Sequence, residues 1–153
     1  MLLFFSFKSN AQDTYRSKFY LIDTINISLA SDQEKIFIKK SLQAYHTSSN
    51  DSIRLSKIKD IVEGVKSPSI WGKYNEYMLM KTDSLLIKSN SRYYEFVKFD
   101  ALYNKAYYFI ESKKYQQAKL FFEKALLQGT KTNNKRLLAK TCLLYTSPSP
   151  RDA

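Results

Sequence analysis

The stretch that decides the fold runs from Phe99 to Thr132 and reads FDALYNKAYYFIESKKYQQAKLFFEKALLQGTKT. Ala106 falls on one predicted helix, and Ala118 and Ala125 fall on the next, with a short polar turn between them. Because alanine has almost no side chain, two antiparallel helices can approach closely where such residues meet. The stretch therefore predicts a pair of closely packed antiparallel helices.

Larger apolar side chains at helical spacing complete the seam between these two helices. The predicted packing residues are Leu102, Ala106, Phe109, Tyr115, Ala118, Phe122 and Ala125. A simpler interpretation is an amphipathic helical pair that happens to carry alanines at its crossing. The other interpretation is that this helical pair is one unit of a repeated structure. The two interpretations predict the same local structure and differ in whether the pair is repeated along the chain.

The same positions resemble the tetratricopeptide repeat (TPR), a pair of helices with a period of about 34 residues. The family's Trp, Gly, Tyr, Ala and Phe positions are occupied here by Leu102, Ala106, Phe109, Ala118 and Phe122. Lys105 and Thr130 depart from the usual Leu and Pro. The resemblance implies an all-α fold in which antiparallel helical hairpins stack as a short TPR-like α-solenoid.

Start signals predict further helices upstream of this repeat. Ser31 and Glu34 have the spacing of a capping box, in which each side chain binds the other residue's backbone N–H. Asn50 or Asp51 caps the next helix, and Ser67–Pro68 begins a third, because proline suits the first helical position. We expect the second and third of these helices to form a divergent repeat without the alanine pattern.

The arrangement also resembles the exported TPR arrays at the front of bacterial sensor proteins of the Bacteroidetes type. That resemblance implies a non-catalytic scaffold for protein–protein interaction, followed in the longer protein by a histidine kinase or a transcriptional regulator. The alternative is a cytoplasmic TPR-bearing regulator that binds nucleic acid through a basic surface.

In TPR folds the first helix of each repeat lines a concave groove. The resemblance therefore implies a groove for a protein or peptide partner at Asp100, Tyr103, Asn104 and Tyr107. Tyrosine suits such a surface, because its body is apolar and its tip is polar. The sequence does not identify the partner.

The first 30 residues differ from the helical region. Leu2–Phe7 is a short apolar run, and Ser9 and Ala11 satisfy the small-residue rule for signal peptidase, with cleavage before Gln12. Residues 1–11 are therefore predicted to be a signal peptide, which is either a weak one or the end of a longer one that starts upstream of Met1. This signal implies a periplasmic location; a buried first helical turn in a cytoplasmic protein is the alternative. Residues 12–30 are predicted to be an extended lead-in, with a short strand as the alternative.

The last residues resemble translated sequencing adapter rather than protein. Cys142–Asp152 reads CLLYTSPSPRD, which corresponds codon by codon to a transposon-type adapter. We therefore expect a helical-repeat domain over residues 31–141, a non-native tail over 142–153, and a missing output domain beyond Thr141. An array cut between repeats exposes an apolar helix face, so self-association is also expected.

The composition gives no positive sign of chemistry. The only cysteine lies in the adapter-like tail, and His46 is the only histidine, expected in the last turn of a helix. No phosphate-binding loop, HExxH or GxSxG motif occurs, so no enzyme activity, metal or cofactor is predicted. The net charge of +11 comes from dispersed lysines, which favours a solvated surface over a nucleic-acid site.

Overall fold

The computed structural model describes residues 22–133 together with residues 135 and 139. Residues 22–133 contain five helices: α1 (Asp32–Thr47), α2 (Asp51–Gly64), α3 (Pro68–Lys88), α4 (Arg92–Glu111) and α5 (Tyr115–Lys131). No residue in the described range forms a strand, and the predicted all-α class is confirmed. The predicted signal peptide, residues 12–21 of the lead-in and the adapter-like tail lie outside the described residues.

The helices begin where the capping signals place them. The Ser31 hydroxyl accepts a hydrogen bond from the Glu34 N–H at 3.3 Å, and the Glu34 carboxylate accepts from the Ser31 N–H at 2.8 Å. Asn50, rather than Asp51, caps α2, because its side-chain oxygen accepts from the Ser52 N–H at 2.8 Å. Pro68 is the first residue of α3.

Each helix packs against the next helix in chain order, and α2 also contacts α4. The residues that contact each other between α4 and α5 occur in opposite order along the two helices. Ala106 clusters with Ala118, close to the connecting turn, whereas Leu102 clusters with Ala125, farther from it. The two helices are therefore antiparallel, as the sequence predicts.

The largest core lies among α1, α2 and α3 and includes Val97 and Ala101 of α4. Ile38 from α1, Ile58 from α2, and Tyr74 and Met78 from α3 are among its fully buried members. Ile22 also belongs to this core, so the chain before α1 packs against the helices. Smaller clusters of Phe99, Leu102 and Ala125, and of Ala106, Ala118 and Phe122, hold α4 and α5 together.

Candidate functional site

The two helices that would line a TPR groove, α2 and α4, lie side by side. The Tyr93 hydroxyl donates to the Ser52 carbonyl oxygen at 3.2 Å, and Lys59 binds the Asp100 carboxylate. Each of these two pairs joins residues 41 positions apart in the sequence. Because the partners occur in the same order along both helices, α2 and α4 are parallel.

Asp100 lies inside the α2–α4 interface and not on an open surface. It is 4% exposed and binds Lys59, whose ammonium group also lies 3.3 Å from Glu63 and 4.6 Å from the centre of the Phe96 ring. A buried carboxylate needs a cationic or hydrogen-bonding partner, and α2 supplies it. This placement corrects the expectation that Asp100 faces a bound partner.

Opposing effects act on the pKa of Lys59. Burial lowers this pKa, but the hydrogen bond and negative charge of Asp100, with Glu63, outweigh burial and hold the pKa above its ordinary value. The charged form of Lys59 is therefore the form that the α2–α4 interface favours.

Tyr103 is shared between the helical seam and the surface. Its half-buried ring stacks on Phe99 with 6.1 Å between ring centroids and meets Phe122 edge to face at 5.6 Å. Burial raises the pKa of the Tyr103 phenol, and the neighbouring Tyr107 and Asp100 raise it further. These contacts fix the ring while part of it remains accessible.

Asn104 and Tyr107 continue this face of α4. Asn104 is half-buried, and Tyr107 is 45% exposed, the most open of the four predicted groove residues. The negative charge of Glu111, one turn further on, raises the pKa of Tyr107, together with a hydrogen bond and slight burial. Tyr103, Asn104 and Tyr107 form the α4 surface considered below.

Most of the predicted packing residues lie in the seam. Buried there are Leu102, Ala106, Ala118, Phe122 and Ala125. Phe109 is half-buried and lies against Phe121, with 5.5 Å between ring centroids. Tyr115 differs, because it is 55% exposed. It is the first residue of α5, where a side chain points back past the start of the helix and away from the seam.

The contribution of α2 to this site is not evident from the sequence. Lys59 and Asp100 are 41 residues apart, whereas the TPR period is about 34 residues, so alignment at the family period does not bring them together. The longer spacing arises because α3 extends over 21 residues. The usable signal in the sequence is the number of residues between the predicted starts of α2 and α4, which is larger than the TPR period.

Outside the α4 surface, the described residues give little support for a site that depends on histidine, for a metal site or for a membrane span. His46 lies in the last turn of α1, exposed as expected, with Nε2 2.9 Å from Asp23 Oδ1. Within residues 22–133, His, Cys, Asp and Glu side chains form no group of three that would hold a metal ion. None of the described helices has both the length and the hydropathy needed to span a membrane.

Comparisons with known proteins do not add a relative. The chain matches no protein-family model, no curated protein and no solved structure. The contacts of α2, α4 and α5 are therefore the basis on which a function is proposed.

Proposed function

We propose that this chain is a non-catalytic, TPR-like scaffold that binds a protein or peptide partner on the α4 surface. In this proposal α2–α3 and α4–α5 are successive units of a short α-solenoid. The observation that carries it is the parallel packing of α2 and α4 at a constant offset of 41 residues. Equivalent helices of stacked repeats lie beside each other in this way.

The chemistry of the α4 surface supports a polypeptide partner. Tyr107 offers an exposed aromatic ring, and the adjacent Tyr103 is already ordered by its contacts with Phe99 and Phe122. An ordered aromatic side chain loses little conformational entropy on binding, which is why tyrosine is common at the centres of interfaces. Asn104 adds hydrogen-bonding groups that would fix the position of a peptide backbone.

The wider role in this proposal is that of an extracytoplasmic front part of a bacterial histidine kinase or transcriptional regulator. Its support is the sequence resemblance to exported TPR arrays. Binding at the α4 surface would then shift the conformational equilibrium of the domain that follows. Residues 1–30 fused to a reporter enzyme that is active only outside the cytoplasm should produce activity; a silent, stably expressed fusion would count against this location.

Nucleic-acid binding is less well supported, because several lysines of the described region, on α1, α2 and α4, already pair with carboxylates. Such pairs include Lys35–Asp32, Lys57–Asp60, Lys98–Asp83 and Lys105–Glu76. A measured affinity for DNA or RNA that falls steeply with salt would favour nucleic-acid binding over the scaffold.

A peptide-display selection on the full chain tests the proposed function. Peptides selected on the wild-type chain should bind the Tyr107→Ala variant about tenfold or more weakly, because the substitution removes a central aromatic contact. The matched control is Tyr115→Ala. It removes the same side chain from a comparably exposed position on α5, and it should leave peptide affinity unchanged.

Two results would overturn the assignment of this surface. One is the absence of any peptide that binds the folded chain reproducibly. The other is an equal loss of affinity in Tyr107→Ala and Tyr115→Ala, which would show that binding depends on exposed tyrosines in general. Thermal melting of both variants, expected to match the wild-type chain, separates a lost contact from a lost fold.

A further inference from the structure

An open cavity lies where the segment before α1 meets α3. This α3 cavity has a volume of about 370 Å³, and its walls include Thr24 and Ile25 of that segment and Lys73, Glu76, Tyr77 and Met80 of α3. None of the described residues in these walls belongs to the α4 surface. The volume lies near the lower end of the range of about 300–1,000 Å³ that small-molecule sites occupy. The cavity is therefore large enough for a small ligand.

Three side chains make the interior of the α3 cavity apolar. Ile25 is half-buried and packs against the largest core, while Met80 is 38% exposed. The Tyr77 hydroxyl lies 2.5 Å from the Tyr45 hydroxyl, so the polar atom of Tyr77 is already engaged and its ring carbons remain to contact a ligand. Covering such apolar surface is favourable, and the flexible methionine side chain can adapt to the shape of a ligand.

The charged side chains in and beside the cavity favour an anionic head group. The Glu76 carboxylate lies 3.3 Å from the Lys105 ammonium, and the Asp23 carboxylate lies 2.9 Å from His46 Nε2. Both carboxylates are therefore already engaged. Lys73 is exposed and forms no ion pair with any residue that the structure describes. Because a lysine side chain is long and flexible, its ammonium group can reach a head group at the mouth of the cavity.

We propose that the α3 cavity binds a small apolar carboxylate, such as a medium-chain fatty acid. The chain of the ligand packs among Ile25, Tyr77 and Met80, and its carboxylate pairs with the Lys73 ammonium. An alcohol of the same length would fill the cavity without this ion pair, and an alkylammonium ion would place a second cation beside Lys73. This site does not depend on partner binding at the α4 surface.

An NMR titration of the full chain with octanoate, octanol and octylammonium tests the proposal. The three probes share one apolar chain and differ in the charge of the head group. Octanoate should shift the Met80 methyl signal and the Ile25 amide signal, whereas the methyl signal of the fully buried Met78 should change little. Octylammonium should bind several-fold more weakly than octanoate, and added salt should reduce this difference.

Lysine variants isolate the contribution of the head group. Lys73→Gln should weaken octanoate binding about threefold, as expected for an exposed ion pair, and should leave octanol binding unchanged. The matched control is Lys88→Gln, which removes another exposed lysine from the same helix, outside the cavity walls, and lowers the net charge equally. This control should leave the affinity for both probes unchanged.

Substitutions of exposed apolar residues test the wall of the cavity. Met80→Gln replaces the thioether with a polar amide and should weaken octanoate and octanol by equal factors, with the Ile25 amide as the reporter. Ile87→Gln is the matched control at an 87% exposed position on the same helix, and it should affect neither probe. Thermal melting of both variants should match the wild-type chain, because neither position is buried.

Three results would each overturn the proposal. They are the absence of octanoate shifts at both Ile25 and Met80, an octanoate affinity that Lys73→Gln does not change, and octylammonium binding as tight as octanoate binding. The last two would show that the cavity binds apolar chains without regard to charge.

N-acetylleucine distinguishes two sources of an apolar carboxylate. If it binds as tightly as octanoate, the carboxylate is the C-terminus of a polypeptide; if only octanoate binds, the ligand is a free fatty acid. Tyr107→Ala should leave the octanoate titration unchanged, so failure of this site is distinguishable from failure of the proposed function.

Discussion

The front unit, α1–α3, and the rear pair, α4–α5, are both helical but are held together differently. The front unit supplies most of the largest core, mainly branched aliphatic, tyrosine and methionine side chains, and the rear pair adds Val97 and Ala101 of α4 to it. The rear pair has two small clusters, in which alanines allow close approach and a few aromatic rings fill the remaining space. The recognisable sequence pattern therefore marks where helices approach closely, and it does not mark where most of the core is buried.

The helix ends show the same difference. Side chains of Ser31 and Asn50 cap two of the three helices of the front unit, whereas α3 and both helices of the rear pair have no side-chain hydrogen bond at the N-cap. Uncapped N–H groups and small clusters reduce the free energy needed for local opening. We expect the rear pair to open before the front unit does.

The largest expected effect comes from the core of the front unit. Ile58→Ala should lower the free energy of unfolding by about 2–5 kcal/mol, because it leaves a cavity at a fully buried position. Urea unfolding measures the loss, and hydrogen exchange should show reduced protection in all five helices. Ile53→Ala, on the same helix at a 48% exposed position, is the matched control and should cost within about 0.5 kcal/mol. Protection that is retained in α4 and α5 would contradict the expectation that destabilising the front unit also destabilises the rear pair.

A smaller and more local effect is expected in the seam of the rear pair. Ala118→Leu should cost about 1–3 kcal/mol, since a larger side chain cannot fit between α4 and α5 without shifting them. Hydrogen exchange should accelerate in the rear pair while α1–α3 keep their protection. The neighbouring exposed Lys119→Leu introduces the same side chain outside the seam and should have almost no effect. Uniform acceleration across all helices would remove the distinction between the two regions.

The smallest predicted effect concerns alkaline pH and the front core. Burial, with a smaller contribution from the charge of Asp23, raises the pKa of Tyr74 to about 12 from an ordinary value of 10.0. The folded chain therefore keeps this phenol protonated at pH values where the unfolded chain loses the proton. The resulting stability is present below pH 10 and should fall by about 1 kcal/mol between pH 10 and 11.

Comparing urea unfolding of the wild-type chain and Tyr74→Phe at these two pH values isolates this contribution. The variant should lose less stability than the wild-type chain over the interval. Tyr115→Phe changes an exposed tyrosine and should follow the wild-type chain. An identical pH response in Tyr74→Phe would show that Tyr74 is not the buried titrating group.

The fold was largely predictable because local rules determine helix boundaries. The Ser31 capping box, the Asn50 cap and the proline at Pro68 act within one turn of chain, so the sequence alone places these helix starts. The alanine pattern likewise places the α4–α5 seam. The alternative of a strand before α1 was harder to resolve, because alternating apolar residues also suit an extended segment that packs against helices, as Ile22 does.

The site was less predictable, because it depends on contacts between distant segments. Asp100 has a position typical of a groove residue, but Lys59 on another helix reaches it and draws it into an interface. Tyr115 matches the family pattern, yet its place at a helix start exposes it. The α3 cavity has no distinguishing pattern in the sequence, since it forms only where the segment before α1 lies against α3.

The parallel arrangement of α2 and α4 restricts how such a chain can grow. Neighbouring helices alternate in direction, so α2 and α4 run the same way only because a single helix, α3, separates them. An insertion or deletion of one helix would reverse the direction of every helix after it. Each of those helices would then run opposite to its former direction relative to the helices before the change. Insertions and deletions that keep alternate helices parallel, as α2 and α4 are, must therefore involve two helices at a time.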